Sequence, residues 1–131
     1  MVARKEWMEP MKVVGTYFLG HENVRVALRV GNGGELYFCP KDKGSAIIIV
    51  GQDQDRWHQI VAVLLHEAIE FKLARQGNRF DPSPITTTSH ASYVFMMTHE
   101  QMEDMASSVG PFLADCLPDL AKAWKLITKK K

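Results

Sequence analysis

From residue 55 to residue 76 the chain reads DRWHQIVAVLLHEAIEFKLARQ, with neither proline nor glycine, and Gly77 and Asn78 follow. An unbroken stretch of this length, closed by two residues that tolerate a left-handed backbone, predicts one helix. The apolar run IVAVLL sends that helix into a core. Directly behind it stands HEAIE, residues 66–70. These polar groups need partners, because desolvating one without a hydrogen bond costs a few kcal/mol and an unpaired carboxylate costs more.

Helical geometry sorts the three groups. His66 and Glu70, four residues apart, share a face, whereas Glu67 is offset by about 100°. Neither carboxylate has a lysine or arginine three or four residues away: Glu67 is flanked by Val63, Leu64, Glu70 and Phe71, and Glu70 by His66, Glu67, Leu73 and Ala74. A local ion pair is therefore not available, which leaves a bound metal ion or, for Glu67, a distant arginine of the sheet such as Arg25 or Arg29. A metal with an open coordination position usually takes three protein donors, so a third must come from elsewhere. His99 is the first candidate, since positions 99, 102 and 106 align with the apolar stripe of a later helix; its competing role is a pair with Glu103. His90, at the start of a strand, is the second. His58 lies two turns before His66, about 12 Å along the same helix, too far to share the ion. His21 falls in a turn.

The rest of the chain frames this helix. MKVVGTYFLG, NVRVALRVG, GELYFCP and AIIIVG are rich in β-branched and aromatic residues, and GNGG and KDKGS separate the last three, a pattern that predicts an antiparallel meander. Val24, Val26, Leu28 and Val30 alternate with Arg25, Ala27 and Arg29, as on a strand with one wet face. Residues 91–97 return to strand character and are expected at the sheet's edge. Thr98 and Gln101 fit a capping box, opening a helix whose stripe is Met102, Met105, Val109 and Phe112. Gly110 and Pro111 are expected to kink or break it, and Pro118 to open another. The expected fold class is α+β: an antiparallel sheet from the N-terminal half, packed on a long HExxE helix, with two C-terminal helices, all in one domain spanning residues 1–131.

Composition narrows the function. With 46% hydrophobic and 24% charged residues, the chain has globular rather than disordered character. A net charge of +1 gives no electrostatic reason to expect nucleic acid or an acidic membrane, and residues 129–131, KKK, read as a solvated tail. No stretch approaches the roughly 18 apolar residues of a membrane span. Cys39 and Cys116 form no CxxC pair, which fits a reduced, cytoplasmic setting.

LLHEAIEF, a loop, an apolar strand and then THEQMEDMASSVGPFL resemble the small zincin-like proteins of bacteriophages and prophages, and more distantly the zincin metallopeptidases with their HExxH pattern. The resemblance spans residues 57–124. It implies zinc, with His66 as first ligand, Glu67 as general base and Glu70 at the second-ligand position, where the peptidases have histidine. It further implies a host cytoplasm and a peptide or protein as substrate or partner. A carboxylate at that position adds negative charge and weakens the ion as a Lewis acid. Two readings follow: a metal-dependent hydrolase of peptide or amide bonds, and a non-enzymatic module acting on a host protein, its metal site structural or relict. Donors of these types also build the iron site of non-haem oxygenases, but a ligand pair on a helix argues against that.

Overall fold

The computed structural model describes residues 10–40, 42–80 and 94–129. β1 (Met11–Leu19) and β2 (Glu22–Arg29) form an antiparallel hairpin, turned at Gly20 with φ of 70°. β3 (Gly34–Tyr37) and β4 (Ala46–Gly51) form a second antiparallel pair. The two join through a parallel seam between β2 and β4, giving the order β1-β2-β4-β3. The sheet is thus mixed, not the antiparallel meander expected.

The reason lies in AIIIVG and GNGG. Every residue of β4 is buried, and an uninterrupted apolar strand suits a central position covered on both faces. Residues 31–33, in place of a β2–β3 turn, carry the chain over the end of β4. That crossing is close: a Cβ on Gly51 would lie 2.4 Å from the Gly31 carbonyl oxygen. The Gly51 N–H donates to the Gly33 carbonyl at 2.7 Å and the Gly31 N–H to Asp53 Oδ2 at 2.6 Å. At the other end Arg25 holds the β3–β4 loop, donating to both carboxylate oxygens of Asp42 and to the Ser45 carbonyl.

α1 (Trp57–Arg75) and α2 (His99–Lys129) lie on one face of the sheet. Val24, Val26, Leu28, Ala46, Ile48 and Val50 meet Ile60, Leu64 and Phe71 of α1 and Val109, Phe112, Cys116 and Leu120 of α2 in a single core. The opposite face carries Ala27, Ile47 and Ile49, also buried, with Met11 and Tyr37 against them. The expected wet face is therefore wet only at its arginines.

α2 is one 31-residue helix with Pro111 and Pro118 inside it, in place of the two helices expected. Its buried stripe, Val109, Phe112, Cys116, Leu120 and Ala123, runs at helical spacing past both prolines. Pro111, Pro118, Ser107 and Ala114 are all exposed, so the carbonyls of residues 107 and 114, which lose their intrahelical donors, face water. Packing on the core outweighs the lost hydrogen bonds. The Thr98–Gln101 capping box is present: Thr98 N donates to Gln101 Oε1 at 2.8 Å and Gln101 N to Thr98 Oγ1 at 3.1 Å.

β6 (Val94–Phe95) pairs with β5 (Arg79–Phe80) in a separate two-stranded ladder. The strand expected at the edge of the main sheet is therefore not there, and residues 91–93 lie outside the described residues. Asn78 anchors this ladder, its side-chain amide donating to the Met96 carbonyl at 2.6 Å and to Gln101 Oε1 at 2.9 Å.

Candidate metal centre

HEAIE occupies the third and fourth turns of α1, beside β3. His66 Nε2 lies 3.4 Å from Glu70 Oε2 and 3.9 Å from Glu67 Oε1. Ligand atoms of the three residues fall within 4.8 Å of one another, so the group can hold a metal ion. The His66 side chain is 71% exposed and that of Glu67 8%, which opens the site to solvent on one side and walls it on the other.

The wall is β3. Gly34 approaches α1 so closely that a Cβ there would lie 2.6 Å from Val63 Cγ1 and 3.2 Å from Glu67 Cγ. The offset of Glu67 from the His66 and Glu70 face turns its side chain under this strand. Glu67 Oε2 is buried without a hydrogen-bond partner, a costly state for a carboxylate. Burial raises the Glu67 pKa above its ordinary value, Glu70 and Glu35 raise it further, and His66 opposes them. Glu35 points away, accepting hydrogen bonds from Arg29 and Tyr37.

β3 is also an edge of the sheet. The Gly51 to Gly33 hydrogen bond fixes the alternation of the antiparallel ladder. Glu35 and Tyr37 face β4 with their peptide groups, and Gly34 and Leu36 turn theirs outward beside the centre.

The donors fit an ion. Zinc bonds to imidazole nitrogen and carboxylate oxygen of about 2.0–2.2 Å place tetrahedral ligand atoms about 3.3–3.6 Å apart, and the His66–Glu70 pair matches that edge at 3.4 Å. Glu67 Oε1, at 3.9 Å, stands just beyond it. His66, Glu67 and Glu70 are brought together as expected, but His99 is not among them. Its side chain is 82% exposed, with Nδ1 3.5 Å from Glu103 Oε1. The first turns of α2 are largely exposed, so the stripe position of His99 does not turn it inward. His90 lies outside the described residues. The feature that sequence reasoning missed was which group is buried: Glu67 lies in the stripe of Ile60, Leu64 and Phe71, and that spacing was its signal, with Gly34 on the strand that covers it.

Comparison with protein-family models, with curated proteins and with solved structures finds no match. Among the described residues no helix is long and apolar enough to cross a membrane.

Proposed function

We propose that this chain is a minimal zincin-like metalloprotein that binds a divalent cation, zinc first, through His66 and Glu70, and hydrolyses peptide or amide bonds. The observation that carries the reading is the buried Glu67 carboxylate beside that pair, its Oε2 without a hydrogen-bond partner and its Oε1 turned to His66. A divalent ion there supplies positive charge that polarises a carbonyl and makes water more acidic. Glu67, its proton affinity raised by burial, takes the proton of an attacking water at Oε1, as a general base tuned toward neutrality does. His66 and Glu70 hold the ion. The outward peptide groups of Gly34 and Leu36 can pair with an extended substrate.

The openness of the centre favours chemistry over a purely structural ion. Both donors, and Glu67 beside them, come from one turn and a half of a single helix, so an ion there cross-links no two elements of the chain, whereas structural zinc sites close their coordination shell. The competing reading, a non-enzymatic module acting on a host protein, is favoured by Glu70 in place of histidine. Metal analysis of untagged protein, followed by turnover on unfolded proteins and peptide libraries, separates the two. About one zinc per chain with turnover supports the hydrolase; zinc without turnover supports the module with a structural site; and no bound metal removes the hydrolase and leaves the module with a relict site.

A further inference from the structure

α1 carries apolar side chains on every side, yet among the described residues part of its circumference is exposed. It buries Ile60, Leu64, Ala68 and Phe71, but on the opposite side His58, Ala62 and His66 are exposed and Leu65 and Ile69 are only half-buried. A helix that is apolar all round belongs in an interior. This exposed face also has a symmetry. His58, Ala62 and His66 follow at intervals of four, so a second α1 crossing antiparallel at Ala62 sets each His58 level with the His66 of the other copy. The methyl group of Ala62 permits the close approach of about 8–10 Å between helix axes that such packing needs. Charge favours the same arrangement, because Arg56 lies at one end of α1 and Glu70 borders the other end of the face, and antiparallel pairing brings unlike ends together.

We propose that two copies of this chain pair through α1 and that each donates His58 to the His66, Glu67 and Glu70 centre of the other. The inference rests on the metal-centre reading above and completes it. His99 is turned to Glu103, and the chain's own His58 is two turns from His66, so neither supplies the third ligand that an ion held by His66 and Glu70 calls for. A second copy brings an imidazole to the solvent-open side of the centre, where His66 is 71% exposed. The assembly is then a two-fold dimer with two equivalent ions, each ligated by both chains, and Glu67, buried on the far side, keeps its place beside them.

Zinc alone is the probe, with sedimentation and equilibrium zinc binding on the full chain as the readouts and circular dichroism as the check that each variant folds. The parent should bind about one zinc per chain as a dimer and become monomeric on chelation. His58→Ala should stay monomeric and bind zinc roughly tenfold or more weakly. Ala62→Arg, which leaves every donor in place, should do the same by blocking the crossing. Mixing His58→Ala with His66→Ala chains should restore one full-affinity zinc site per mixed dimer, because one centre then draws His66 and His58 from different chains. Zinc bound equally well by a monomeric parent and by His58→Ala overturns the pairing while leaving the metal centre in place. A parent that binds no zinc removes the metal centre and the pairing with it.

Discussion

Gly34 closes over Glu67: the strand backbone comes so near the helix that a methyl group on Gly34 would stand 3.2 Å from Glu67 Cγ and 2.6 Å from Val63 Cγ1. Gly34→Ala must therefore push β3 away from α1 or distort it, at a cost of about 1–3 kcal/mol. Urea denaturation measures that loss. The same displacement should admit water to the Glu67 carboxylate, so the proposed hydrolysis should fall further than stability alone explains. Unchanged stability would mean that β3 has room to move.

His66→Ala removes the donor 3.4 Å from Glu70 Oε2. Ion binding to the folded chain stabilises it by mass action, by about 2.7 kcal/mol when free zinc is 100 times the dissociation constant. A chelator should lower the melting temperature of the parent by several degrees and leave that of His66→Ala unmoved. Equal responses would show that His66 is not a ligand.

Glu67→Gln keeps the side-chain volume and removes the base. The variant should retain its metal while hydrolysis falls by a factor on the order of 100 or more, read as kcat on whatever peptide the parent cleaves. Release of the metal by this substitution would make Glu67 a ligand.

Glu67 also sets a pH dependence in the metal-free protein. Its carboxyl titrates at the ordinary 4.5 in the unfolded chain and above that when folded. As pH rises the unfolded chain therefore loses this proton first. Folded stability from this group is complete below pH 4.5 and falls as pH climbs to the raised folded value. Glu67→Gln should lose that decline, so in chelator the gap between variant and parent should widen in the variant's favour as pH rises from the ordinary 4.5 through the raised folded value. Parallel stability profiles would place the raised titration on another group.

Pro118 sits on the exposed side of α2, where its ring denies a hydrogen bond to residue 114. Pro118→Ala should stabilise the protein by about 1–2 kcal/mol. A helix-interior proline costs about 3 kcal/mol, and the greater freedom of the unfolded alanine chain offsets part of the gain. Thermal denaturation decides it; a loss of stability would mean that the ring packs on something the helix needs.

Much of this was legible where local signals agreed. α1 showed itself as an unbroken apolar stretch, and α2 announced its start by Thr98 and Gln101. The sheet was misjudged where a local signal had a non-local cause: GNGG resembles a hairpin turn, but it spans the end of β4, and the evidence for β4 as a central strand was the unrelieved run of isoleucines. Pro111 and Pro118 break helices by local rules, and a stripe from Val109 to Ala123 overruled them. His99 was placed correctly on its helix but not in space, since helical phase does not say how far a neighbouring element extends. Glu67 was given its angular offset, and only the partner strand revealed what that offset faces.

The seam between β2 and β4 has a consequence for how the chain acquires its fold. β1–β2 and β3–β4 are each local hairpins, and the rows Val24↔Ala46, Val26↔Ile48 and Leu28↔Val50 connect residues more than twenty positions apart. Loop-closure entropy delays such contacts relative to the hairpins. The seam is thus expected to close after the two hairpins. A slip by one residue there would turn the isoleucines of β4 onto the wrong face, so the zipping of two preformed ribbons, rather than their formation, is where misfolded forms of this protein should arise.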